Sequence, residues 1–174
     1  MSNVGKQFEE QFKNSIRHDE VYYYRLKDSA QSFGRSSALR FSSKNPCDAF
    51  IWDAKRRMFF ALELKTVAGT SISFERTKEE HGEIHFHQAE GLNQINKYDH
   101  TVCGFVVNFR KVEETYFIPI EVYNKIIEEI PKKSFNVKDL ANYDVVRINA
   151  IKKRTRYTYC VEEFMRKCYE KYEV

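Results

Sequence analysis

The chain has 174 residues, enough for one domain with a sizeable core, and a composition of 42% hydrophobic and 31% charged residues excludes a disordered chain. Its formal net charge of +4 tolerates a polyanionic partner without requiring one. The polar start, residues 1–11, lacks the apolar stretch of a signal peptide, and no run is long enough to span a bilayer, so a cytoplasmic protein with no membrane partner is expected. None of Cys47, Cys103, Cys160 and Cys168 stands in a C-x-x-C pair, which implies reduced thiols rather than a zinc site or a disulfide framework.

Ser2 or Asn3 is placed to cap a first helix in which Phe8, Phe12 and Ile16 recur on one face. Gly5 lets another backbone or a phosphate come close. Glu10 suits the helix dipole, whereas Glu9, beside the apolar Phe8, is better placed to reach a metal site or to hold Lys65. Val21 to Leu26 has strand composition. Residues 27–45 then turn Ser-rich, with Gly34, Arg35, Arg40 and Lys44 between the serines. They predict a flexible polar loop whose groups suit phosphate contact or plain solvation.

The stretch from Pro46 to Lys65 reads as two apolar strands joined by the basic turn Lys55-Arg56-Arg57. Asp48 enters the first strand, and Glu63 and Lys65 stand near the end of the second. Alternation points Glu63 and Lys65 to one face while Leu62 and Leu64 point into a core. Two acids and a lysine at one sheet edge suit phosphodiester hydrolysis: carboxylate oxygens are the ligands magnesium prefers, and a lysine stabilises charge developing on phosphoryl oxygens. The plainer alternative is a strand pair whose exposed face carries a salt bridge.

Thr66 to Glu83 is expected as a polar loop. His85-Phe86-His87-Gln88 opens a helix with Phe86, Ala89, Leu92 and Ile95 inward and Glu90, Asn93 and Asn96 outward. Gln88, one turn in, is able to accept from a water or ligate a cation weakly. The spacing of His85 and His87 does not suit a transition metal and leaves them solvated or facing DNA. Thr101 to Phe109 predicts a strand buried on both faces, with Glu114 to Ile120 as its neighbour. Val122 to Ile130 reads as a helix stopped by Pro131, and Ser134 to Leu140 as a small insert. Val145 to Ile151 pairs with Arg156 to Cys160 in a hairpin before a last helix, Val161 to Tyr172. The order predicts an α/β (α+β mixed) protein with a central mixed sheet flanked by helices, formed by residues 1–174 as one domain with 132–174 as a peripheral hairpin and helix. No G-x-G-x-x-G or G-x-x-x-x-G-K-[ST] occurs, so a nucleotide cofactor has no support.

In order along most of its length, the chain resembles the RecU-type Holliday junction resolvases of the restriction-endonuclease-like nuclease superfamily. The likeness runs through Asn3-x-Gly5-Lys6-x-Phe8-Glu9, Asp48, Glu63-x-Lys65, Thr70-Ser71-x-x-Phe74, His85-x-His87-Gln88 with Ile95, and Tyr116-Phe117-Ile118-Pro119. It implies a restriction-endonuclease-like core, with Asp48, Glu63 and Gln88 serving a Mg2+ site (Mn2+ a substitute) and Lys65 stabilising the transition state. Glu9 would be the first-helix acid. It also implies action on DNA, with four-way junctions as substrate, and symmetric cutting of two strands calls for a homodimer with two active sites. Two features depart from the pattern: Pro46 stands where a hydroxyl residue is usual, and residues 27–45 are shorter than the family's projecting stalk. A phage-borne or divergent member fits the compact form. A restriction or repair nuclease of the same superfamily, or a DNA-binding or partner-binding protein that lost catalysis, are the alternatives.

Overall fold

A computed structural model describes residues 4–17, 19–26 and 45–172. The expected cap at Ser2 or Asn3 and the Ser-rich residues 27–44 lie outside them. The elements in order are α1 (Val4–Lys13), β1 (Val21–Arg25), β2 (Ala49–Asp53), β3 (Met58–Val67), β4 (Ser71–Ser73), α2 (Phe86–Ile95), β5 (Thr101–Phe109), β6 (Glu114–Pro119), α3 (Ile120–Glu129), β7 (Ser134–Asn136), α4 (Val137–Leu140), β8 (Val146–Arg147), β9 (Ala150–Lys153), β10 (Arg156–Tyr159) and α5 (Val161–Lys171).

Six strands form one mixed sheet in the order β1-β2-β3-β5-β6-β8, with β3 and β5 parallel and the other neighbours antiparallel. The expected central mixed sheet flanked by helices is what the chain forms. The parallel pair places α2 as the crossover between β3 and β5, and β5 is apolar on both faces because helices cover both.

Strand alternation divides the core into two layers. Phe60, Leu62 and Leu64 of β3 join Phe8 and Phe12 of α1 and Phe164, Met165 and Cys168 of α5. Ala61 joins Cys103, Phe105 and Val107 of β5, Leu92 of α2 and Tyr123 of α3. Phe164 meets Phe60 and Phe117 with ring centroids 5.8 and 5.1 Å apart, and Tyr123 lies 4.7 Å from Phe105. Each such buried ring contributes about 2 to 3 kcal/mol of transfer free energy. No helix among the described residues is long and apolar enough to cross a membrane.

Four expectations change. Thr66 to Glu83 is not a plain loop: Ile72 and Phe74 alternate into the core, and β4 pairs with β7, so the small insert at 134–140 is tied to it. Val146–Arg147 joins the main sheet beside β6, and the hairpin is β9–β10 alone. Asn93 faces α3, where its Oδ1 accepts from Asn124 Nδ2 at 2.8 Å. The segment 132–174 is peripheral only in that exposed hairpin, since Phe135, Leu140 and Phe164 are core residues.

Candidate active site

Asp48 stands just before β2, where β1 and β3 both still hold its backbone. Its N–H donates to the Leu62 carbonyl at 3.1 Å, and its carbonyl accepts the Leu26 N–H at 2.9 Å. Beyond it the β2–β3 ladder would be left open, and the side chain closes it: Oδ2 accepts the Leu64 N–H at 2.8 Å. The carboxylate is therefore fixed by sheet geometry. Glu63 follows Leu62, the partner of Ala49, so it stands across from Asp48 and their carboxyl groups are close enough to share a proton.

Glu63 is 4% exposed, and its Oε1 lies 3.2 Å from Lys65 Nζ. Burial raises the pKa of the Glu63 carboxyl, the Asp48 charge raises it further, and Lys65 only partly offsets both. Burial likewise raises Asp48, with Glu9 adding to the effect, against the lowering pull of the Leu64 N–H, Lys65 and Arg25. Among the described residues the carboxylates of Glu9, Asp48 and Glu63 thus lie with Lys65 and Arg25 in a half-dry setting.

Glu9 comes to this edge from α1. Its Oε2 accepts from Arg25 Nε at 2.6 Å, while Lys65 takes Glu63 as its partner. Arg25, the last residue of β1, was missed in the sequence, where it reads as an ordinary charged strand end. The Tyr23 hydroxyl nearby is buried with no hydrogen-bond partner among the described residues, and burial, then Glu9, push its pKa up to about 12.

The helix α2 closes the other side. Gly91 allows it to press on the approach to Asp48: a Cβ there would lie 2.6 Å from the Pro46 carbonyl oxygen. Pro46 thus serves as backbone against which the helix seats. Gln88 reaches Glu63 with its amide nitrogen, which donates to Glu63 Oε1, while its Oε1 accepts the His85 N–H at 2.9 Å. The amide thereby presents a donor to the acid pair, and ligation of a cation would require its oxygen to leave His85.

A second anchored acid lies behind that turn. Glu75, also missed in the sequence, accepts the Phe86 N–H at 2.8 Å and the Gly82 N–H at 3.2 Å and pairs with His85 Nδ1 at 2.8 Å. Burial works to raise its pKa, but these bonds outweigh it and hold the carboxyl down at about 2. It seats the start of α2, as an anion at a helix N-terminus does. His85 and His87, though two residues apart, stack with centroids 5.6 Å apart.

The five residues singled out from the sequence, Glu9, Asp48, Glu63, Lys65 and Gln88, are drawn to this one edge, the first by way of Arg25. Among the described residues no group of three or more His, Cys, Asp or Glu side chains forms a metal cage. Two adjoining carboxylates, one of which raises the other's pKa, with Lys65 shared between them, are nonetheless a donor set open to further positive charge. They fit a hard divalent cation such as Mg2+, which is usually held by one or two carboxylates together with water and substrate phosphate.

No family model matches the chain. It is 28% identical over 170 residues to the SPbeta prophage-derived uncharacterized protein YotM of Bacillus subtilis (strain 168), covering 91% of this chain and 83% of that protein. Among solved structures it is similar to Hjc, a Holliday junction resolvase of Archaeoglobus fulgidus, with a TM-score of 0.49 and 12% identity over 80% of this chain and 93% of that one.

Proposed function

We propose that the chain is a Mg2+-dependent DNA endonuclease, with Mn2+ an effective substitute, that cuts four-way junctions as a homodimer. The observation that carries this reading is the pairing of half-buried Asp48 with buried Glu63 where the β2–β3 ladder ends, with Lys65 beside Glu63. A purely structural acid pair would be matched one for one by cations or left in water; here two acids share Lys65, and Glu63 is shielded from water. Junctions are preferred over other DNA because of the ordered sequence likeness from Glu9 to Pro119.

Asp48 and Glu63 would hold the cation, which supplies Lewis-acid polarisation of the phosphate when bound. Asp48 is oriented for that by the Leu64 N–H, and Gln88 orients Glu63. Lys65, held over Glu63, places its ammonium where negative charge grows on the phosphoryl oxygens. Arg25 balances Glu9 and lowers the charge repulsion that Asp48 feels.

The test is cleavage of a labelled synthetic four-way junction beside a linear duplex of the same sequence, with Mg2+, with Mn2+ and with EDTA. Product from the junction alone, lost in EDTA, is the expected result. Cutting of both substrates makes it a general nuclease of the restriction or repair type, and retention without cutting makes it a binding protein.

A further inference from the structure

On the side of the sheet that carries Glu63, α2 and α3 lie over β3, β5 and β6, and the β1–β2 end has aromatic side chains instead. The register lines them up in two rows, Tyr22 beside Trp52 beside Phe59, and Tyr24 beside Phe50. Phe50 and Phe59 touch, with centroids 5.0 Å apart. Tyr22 is 63% exposed, and Tyr24 and Trp52 are nearly half exposed. Past Trp52 and Phe59 the surface dips into a cleft of roughly 850 Å3 bordered by Tyr98, which is 72% exposed. A strand pair with polar outer positions would be the ordinary solution for an exposed sheet face. Here the outward positions of β1 and β2 are all aromatic.

We propose that this aromatic face is the contact through which two copies of the chain pair across a two-fold axis. Its size fits: four large rings leave on the order of 450 Å2 of apolar surface in water, over half of the ~800 Å2 that a stable interface takes from each partner. Its charge fits as well. The rim mixes Glu20, paired with Lys55 at 3.7 Å, with Arg57, Asp99 and Glu121 in the cleft, whose other cations, Arg56 and Lys171, are paired with Asp53 and Asp144, so neither sign dominates. A two-fold contact sets each patch against its own copy and needs such balance, whereas a phosphate backbone needs an excess of cations. The pairing would give the nuclease reading its two active sites, and to that extent it rests on that reading.

The chain's single tryptophan sits in the patch, so its emission reports the contact. The measurements are molar mass by sedimentation or light scattering and Trp52 emission, both over dilution from about 100 µM to below 1 µM. The expected result is twice the chain mass at high concentration, with Trp52 emission shifting to the red as the dimer dissociates. Tyr22→Lys, on a side chain outside the core, and Trp52→Ser should each weaken the dimer at least ~100-fold, with the Tyr22→Lys monomer keeping its circular dichroism. A wild-type monomer at the top concentration overturns the proposal, whether its Trp52 is already buried within the chain or is quenched by an added single-stranded oligonucleotide. Full dimer strength in both variants overturns it too. A dimer that cuts no DNA removes the nuclease reading and leaves the interface standing; a monomer that cuts does the reverse.

Discussion

The strand pair β2–β3 has a buried acid at each end, and the two are treated oppositely. At the turn, Asp53 is 0% exposed and fully partnered: it accepts from the Arg56 N–H at 3.0 Å and from Nη1 at 2.7 Å, and Arg56 extends Nη2 to Glu162 at 2.6 Å. One buried acid meets one half-buried cation, and the surplus carboxylate, Glu162, stands in water. At the other end Asp48 and Glu63 share Lys65, and Glu9 engages Arg25. An acid that the fold has already neutralised holds structure, while acids left in deficit of charge are available to a ligand.

Asp48→Asn should break this contrast most forcefully. Cleavage of the junction is expected to fall at least ~10³-fold with binding nearly intact, because the lost oxygen charge matters only in the reacting complex. The same change relieves Glu63 of a neighbouring charge, so stability in denaturant should not drop. Normal turnover in this variant, or in Lys65→Ala, would mean that chemistry lies elsewhere. The mirror experiment is Asp53→Ala, expected to cost about 2 to 3 kcal/mol of stability because the Arg56 N–H and Nη1 lose their charged acceptor while Nη2 keeps Glu162, with the cleavage rate per folded molecule unchanged. A variant that loses activity ahead of stability would erase the distinction between the two ends.

Gly91→Ala tests how the site end is built rather than charged. The added methyl meets the Pro46 backbone, so either α2 or the approach to Asp48 must move, at about 1 to 3 kcal/mol. Because Gln88 and Asp48 ride on the two surfaces that collide, cleavage should fall about tenfold to a hundredfold, more than the stability loss explains. Equal losses in both would leave the Gly91 contact as ordinary packing.

These contrasts were only partly legible in the sequence. The alternation from Phe59 to Lys65 located the acid pair's second member and its lysine, because every other residue of a strand shares a face whatever covers it. The run from Val102 to Phe109 identified the central strand for a different reason: a strand covered on both faces is apolar throughout. Arg25 and Glu75 could not be found that way: each acts through a partner far off in the chain, Glu9 and the start of α2, and a lone charge at a strand or loop end carries no period. The pairing of β4 with β7 was hidden because three residues are too few to show alternation, and β8 because its two-residue partnership with β6 is set by tertiary packing. Gln88 was legible as a site residue, but which of its amide atoms faces Glu63 depends on the His85 backbone, which no spacing reveals.

The smallest expected effect is one of pH. Raised folded-state pKa values at Asp48 and Glu63 mean that the folded chain holds protons which the unfolded chain has already released above the ordinary carboxylate range. In EDTA-treated protein, stability should therefore decline as pH climbs from about 5 toward 8, by a few degrees in Tm, since the folded state must give up those protons to charge a crowded pair. Glu75 carries the opposite sign: its depressed value stabilises the fold above the normal glutamate range, and that contribution is lost only as pH falls toward about 2, outside this window. Adding Mg2+ at the alkaline end should restore the lost degrees in the wild type, and Asp48→Asn should flatten the slope with or without metal. A slope unchanged in that variant would place the titrating groups somewhere other than the acid pair, and the two ends of the strand pair would then differ in their partners but not in their charge.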